Sequence, residues 1–145
     1  MQLNQPLQDG PAFTQAYRVY YADTDAGGIV YHSRYLEFAE RSRSELLRHV
    51  GYPLVSPDGE QFVARNADIA WQRPACLDDL IVCATSVISI RGAGVRIRHV
   101  FRRESQVLAR IEIELVHINK SMKPARIPPA LVEAFLPYLE PGGPA

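Results

Sequence analysis

The sequence predicts an α+β fold, and three observations carry that prediction. A strongly amphipathic helix lies early in the chain, period-two apolar runs follow one another after it, and strand and helix do not alternate as a parallel doubly wound sheet requires.

The elements follow in order. Residues 13–21 are rich in aromatic and β-branched side chains and set Phe13, Gln15, Tyr17, Val19 and Tyr21 on one face, the pattern of a strand. An acidic, glycine-bearing loop follows, with Asp23, Asp25, Gly27 and Gly28. From Ser33 the positions Tyr35, Phe38, Ala39, Ser42, Leu46 and Val50 recur at helical spacing, while Glu37, Arg41, Arg43, Glu45 and Arg48 occupy the other side. Gly51 stands where a left-handed residue ends a helix, and Pro53 lies just beyond it.

After a turn at Ser56-Pro57-Asp58-Gly59, residues 60–72, 80–91, 95–102 and 107–118 read as strands. In the last of these, Val107, Ala109, Ile111, Ile113 and Leu115 alternate with Leu108, Arg110, Glu112, Glu114 and Val116, so one face is buried and the other mostly charged. Residues 80–90 are apolar on both faces, which suits a central strand and implies that a second copy of the chain covers part of the sheet. Arg91-Gly92-Ala93-Gly94 and Arg103-Glu104-Ser105-Gln106 read as hairpin turns. A short amphipathic helix over 129–139 closes the chain. The polar, Pro- and Gly-containing ends, 1–12 and 141–145, are expected to fray, which leaves one domain over 13–140.

At 145 residues and 47% apolar composition, one domain can bury a core without disulfides or metal. Lys and Arg number 16, as do Asp and Glu, so no general attraction to nucleic acid or to a membrane surface is built in, and small molecules are the expected partners. The stretch MQLNQPLQDGPAF has neither a basic n-region nor an apolar h-region, and no window approaches a bilayer span; the expected location is the cytoplasm, without membrane insertion. Cys76 and Cys83 lack metal-ligand spacing and read as reduced thiols.

The candidate site is the loop that leads into the long helix. Asp25 offers a carboxylate able to attack a carbonyl or orient a water, beside a helix start whose first N–H groups lack internal partners and can stabilise an oxyanion. The bland alternative for an Asp in such a loop is an Asx turn to its own backbone. Gly27 and Gly28 remove the side chains that would keep a substrate from the backbone. His32, just before the N-cap position Ser33, can contribute a backbone N–H, an imidazole proton or both, and Tyr21 can donate a hydrogen bond that orients Asp25. Asp23 has no separate rationale beyond capping the loop or facing solvent.

His49, His99 and His117 have no partners at ligand spacing and read as structural. Asp23, Asp25 and His32 form too sparse a set for a metal, and no nucleotide-binding glycine motif occurs. Arg96 and Arg98 are expected to face Glu114 and Glu112 across a hairpin. Arg91, Lys120, Lys123 and Arg126 lack obvious acidic partners and are candidates for phosphate contact, against the bland alternative of solvated loop cations.

The stretch DTDAGGIVYHSRYLEFAERSRSE resembles the acyl-CoA thioesterases of the 4-hydroxybenzoyl-CoA thioesterase type, and most of all their bacterial tol-pal-associated branch. The likeness extends over 17–139, through FVARNADIAWQRPACLDD, ISIRGAG and KPARIP. It implies a hotdog fold, an antiparallel sheet wrapped around the long helix, in dimers or tetramers with active sites at a subunit interface. It also implies hydrolysis of acyl-CoA without a cofactor, with an acyl carrier protein as a further possible partner. The family's catalytic Asp falls on Asp25, its associated Tyr and His on Tyr21 and His32, and its oxyanion donor on the His32 amide, while Gly28, Arg91, Lys123 and Arg126 are the expected substrate contacts. Rival readings are a dehydratase on the same fold and a non-catalytic acyl-CoA or carrier-protein binding module.

Overall fold

The structure, a computed structural model, describes residues 11–145. Strands β1 (Phe13–Arg18), β2 (Gln61–Trp71), β3 (Leu80–Arg91), β4 (Gly94–Arg103) and β5 (Gln106–Ile118) form one antiparallel sheet in the order β1-β3-β4-β5-β2. Helix α1 (Arg34–His49) packs on one face of this sheet, and the short helix α2 (Pro129–Phe135) follows β5. A single long helix embraced by an antiparallel sheet is the hotdog arrangement that the resemblance implies.

Helix α1 forms where the apolar period places it. Tyr35, Phe38, Ala39, Ser42 and Leu46 are its buried residues. Phe38 stacks on Tyr17 of β1 at 4.8 Å between ring centroids, and Tyr35 meets Phe101 of β4 edge-on at 5.2 Å. The helix ends as expected at Gly51, whose φ of 85° is available to glycine at little cost. Gly51 N–H donates to Arg48 O and Tyr52 N–H to Leu47 O, the paired bonds of a Schellman end.

Across the sheet, β4 and β5 present Ile97, Phe101, Ile111 and Ile113 to this helix as a buried layer. The opposite face carries charge. Arg96 and Arg98 stand in register with Glu114 and Glu112. Arg98 pairs with Glu112 at 2.9 Å, but Arg96 reaches diagonally to Glu112 at 3.5 Å rather than straight across to Glu114. Glu140 adds a second partner for Arg98 at 2.6 Å.

Beneath α1 the core also holds a polar chain. Arg43 lies 3.3 Å from His99 Nε2, and His99 Nδ1 lies 2.9 Å from Thr85 Oγ1. A guanidinium only donates, so Nε2 accepts, and Nδ1–H donates to Thr85. Burial, reinforced by the Arg43 charge, holds the His99 pKa well below the ordinary imidazole value. Burial likewise pushes the Cys83 thiol up to about 11, so this cysteine is an inert core residue rather than a nucleophile.

Three expectations shift. β1 stops at Arg18 instead of continuing to Tyr21, because Asp23 Oδ2 accepts the Tyr20 N–H at 2.8 Å and turns residues Tyr21–Asp23 into a short 3₁₀ helix. The C-terminal helix ends at Phe135 and continues only as a 3₁₀ turn over Leu136–Tyr138, which contains Pro137, a residue without an N–H to donate. Residues 141–145, read as a fraying end, bond to β3: Ile90 N–H donates to Pro144 O at 2.8 Å. β1 pairs β3 only as far as Thr85, and this C-terminal strap takes up the same edge beyond it, with Glu140 N–H donating to Val87 O. The other expected fraying stretch, 1–12, lies almost wholly outside the described residues.

Candidate active site

The loop from Thr24 to Val30 is a small hairpin. Thr24 and Val30 form an antiparallel bridge, Asp25 N–H donates to Ile29 O at 2.9 Å, and Gly28 N–H closes a turn onto Asp25 O at 3.0 Å. Gly28 has φ 82°, so the turn is a type I turn followed by a left-handed residue. Its position is fixed from below, since Val30 N–H donates to Ala75 O and Ile29 bridges Cys76.

Asp25 is held at the tip of this hairpin. Its Oδ1 accepts the Gly27 N–H at 2.8 Å, an Asx turn, and its other oxygen has no hydrogen bond among the described residues. A Cβ on Gly27 would stand 3.1 Å from Asp25 Oδ1, so glycine at 27 is what lets the carboxylate fold back on the loop. At Gly28 nothing lies within 4 Å of where a Cβ would be, which leaves open space above the backbone. The Asx turn weighed as the bland alternative is therefore present, and it occupies only one of the two carboxylate oxygens.

His32 lies at the junction of hairpin and helix. Its ring is exposed, packs on Tyr31 at 4.4 Å and meets Trp71 edge-on at 5.8 Å. Its carbonyl accepts the Trp71 Nε1–H at 3.0 Å. The N–H groups of His32 and Ser33 make no hydrogen bond among the described residues, and Ser33 holds the N-cap position without a side-chain cap. Both N–H groups are therefore open at the start of α1.

Other expected residues sit elsewhere. Tyr21 is 82% exposed in the 3₁₀ turn and makes no hydrogen bond to Asp25. Asp23 is the cap of that turn and lies 3.5 Å from Arg34 Nε, while Arg34 also donates to Ala22 O and pairs with Glu37. Arg91 and Arg126 are exposed and come together through the bond from Ile127 N–H to Gly92 O, and Lys123 caps a tight loop organised by Asn119. None of these three has a carboxylate partner among the described residues. They stand at the far end of β3 from the Asp25 hairpin, on the order of 35 Å away at ~3.3 Å per residue.

Sequence reasoning missed two supports. Trp71, at the end of β2 and half-exposed, ties the sheet edge to the helix start. Asp79 accepts the Cys76 N–H at 2.8 Å and the Arg103 guanidinium at 2.7 Å, which staples the segment under the hairpin. Burial alone would raise the Asp79 pKa, but the Cys76 N–H and Arg103 outweigh it and hold it below the usual carboxylate range. The acidic pair Asp78-Asp79 just before a strand was the available signal.

Residues 19–135 match the family profile described as the thioesterase-like superfamily. The chain belongs to this superfamily. It is 38% identical over 122 residues to the acyl-CoA thioester hydrolase YbgC of Escherichia coli O6:H1, covering 81% of this chain and 91% of that protein. It is 38% identical over 128 residues to the acyl-CoA thioesterase YbgC of Haemophilus influenzae, covering 85% and 93%. Among solved structures it resembles a probable thioesterase from Bartonella henselae, with a TM-score of 0.77 and 36% identity, covering 81% of this chain and 99% of that one. As a member of the thioesterase-like superfamily, it places the hairpin and the start of α1 within the matched span.

Proposed function

We propose that this protein hydrolyses acyl-CoA thioesters, with Asp25 as nucleophile or as the base that activates water. The observation that carries this reading is the Asp25 carboxylate, oriented through one oxygen by Gly27 and free at the other, on the hairpin that leads into a helix start with two unbonded N–H groups. The attacking oxygen adds to the thioester carbonyl, the His32 and Ser33 amides take the developing oxyanion, and collapse breaks the C–S bond. The CoA sulfur leaves as a thiolate that takes a proton from the His32 imidazole or from water. If Asp25 attacks directly, a water then cleaves the acyl-aspartyl anhydride to the free acid. Losing an oxyanion donor typically costs ~10²–10³ in rate, so a carboxylate with two amides is a sufficient minimal apparatus.

The assembly expected is a homodimer or homotetramer. β2 is an edge strand, and its residues from Ala64 to Asp68 are exposed on both faces. A two-fold axis across this edge would bring the far end of the partner, with its counterparts of Arg91, Lys123 and Arg126, toward the Asp25 hairpin. That supplies phosphate-binding cations that one chain alone holds too far away. The free thiols Cys76 and Cys83 fit a cytoplasmic protein.

Release of free thiol from a panel of acyl-CoAs and an acylated carrier protein, by wild type and Asp25→Asn, tests the chemistry. Turnover that disappears in the variant is the expected result; no turnover, or turnover unchanged by the substitution, overturns it. Full activity in His32→Ala would remove the imidazole and leave only the amide.

A further inference from the structure

A cavity of about 340 Å³ opens between the second half of α1 and the sheet, with apolar walls from Leu47, Phe62, Ile97 and Phe135. Among the described residues Arg43 is its only cationic lining residue. The guanidinium is partly buried, burial lowers its pKa against a smaller opposing pull from the Glu40 charge, and its one hydrogen bond among the described residues is to the neutral ring of His99. Among the described residues no carboxylate lies within ion-pair distance of it; Glu40, at the same cavity, is engaged by the Ser44 hydroxyl at 3.1 Å. An arginine has five N–H donors, and burying them unpaired is costly. Such a group in an apolar cavity fits a ligand that is mostly hydrocarbon and ends in an anionic acceptor.

The stripe of α1 that lines this cavity runs back to the first turn of the helix. Leu36, Glu40, Arg43 and Leu47 recur at spacings of three and four and form one stripe of α1. Opposite this stripe, Ala67 and Ala64 of β2 stand in register with the buried Ile113 and Leu115, so their small side chains share the inner face of the sheet. Arg43 is about 14 Å along α1 from its first residue at ~1.5 Å per residue. An extended chain of roughly twelve carbons covers that length, since each C–C bond of ~1.5 Å set at ~111° advances the zigzag by ~1.25 Å.

Resting on the hydrolase reading above, we propose that the preferred acyl group is a medium-length chain ending in a carboxylate, with the thioester at the start of α1 and the distal carboxylate on Arg43. Arg43 is then a specificity residue for the acyl end, and His99 is the positioning residue that holds its guanidinium toward the cavity.

The test compares decanoyl-, dodecanoyl- and tetradecanoyl-CoA with the matching α,ω-dioic monothioesters. The ratio of kcat/KM for the dioic over the plain chain is expected to exceed tenfold at about twelve carbons and to fall about tenfold to hundredfold in Arg43→Met, with Arg43→Lys between. Calorimetric titration of dodecanedioate against dodecanoate reads the same preference without turnover. If Arg43→Met does not fold, Ala64→Phe fills the cavity from the sheet side and is expected to abolish the dioate preference. Equal ratios and equal binding in the wild type overturn the proposal. Absence of thiol release from every acyl-CoA sinks the hydrolase reading instead, and the calorimetry then decides this one.

Discussion

His32 and His99 lie on the same domain and are treated in opposite ways. His32 is exposed at the mouth of the hairpin, with its backbone carbonyl bonded to Trp71 and its ring resting on two aromatic neighbours. His99 is fully buried on β4, with each ring nitrogen assigned to a partner and its charged form disfavoured. The difference separates a region that leaves polar groups open from one that binds them. Around His32 and Asp25, hydrogen bonds orient groups but leave acceptors and donors unused; around His99 every polar atom is spoken for except the outward donors of Arg43.

Substitutions should divide along that line. Asp25→Asn keeps the Asx bond to Gly27, so the melting temperature should stay within a degree or two while turnover falls by roughly 10²–10⁴-fold, as loss of a base or nucleophile does. A matching loss of stability would erase the distinction. His99→Ala should do the reverse and destabilise by about 2–4 kcal/mol in urea unfolding, through the cavity and the partners left unsatisfied in Thr85 and Arg43.

The pH dependence sharpens the same contrast. The folded-state pKa of His99 is depressed, so the unfolded chain binds more protons below the ordinary imidazole value of ~6.5. Its contribution to stability is present above that pH and is lost as pH falls, with a slope approaching ~1.4 kcal/mol per pH unit. Urea midpoints measured at several pH values should show this slope in the wild type, and a flatter line in His99→Leu. Smallest is Gly27→Ala: the added methyl presses on Asp25 Oδ1, and about a tenfold fall in kcat is expected with little change in unfolding, since an exposed turn can give by a few tenths of an ångström. An unaltered kcat would mean that the orientation of Asp25 does not matter.

What could be read from the sequence was what periodicity or a single backbone requirement determines. The apolar stripe of α1, the left-handed Gly51 and the alternation of β5 each follow from local rules that packing reinforces. The early end of β1 was hidden because Asp23 competes for the backbone through a side-chain bond three residues back, which a strand pattern does not register. At the site, Asp25 and the glycines stand out by residue type, whereas the role of Trp71 depends on β2 ending beside the helix start, a fact of sheet order. Arg91, Lys123 and Arg126 have no carboxylate partners among the described residues, as their surroundings in the sequence suggest, yet their distance from Asp25 becomes visible only when the strands are laid side by side. Arg43 was read as part of the polar side of α1; the curl of the sheet turns that position toward a cavity.

The C-terminal strap carries a last consequence. β1 covers only one half of the outer edge of β3, and residues Leu139 to Pro144 occupy the other half. Glycine is required at position 143 because any Cβ would collide with Ile88 O. Removing these few residues would uncover the backbone groups of an internal, apolar strand, a ready template for pairing with another chain. Shortening a tail that looks dispensable by composition is therefore expected to lower solubility before it touches catalysis.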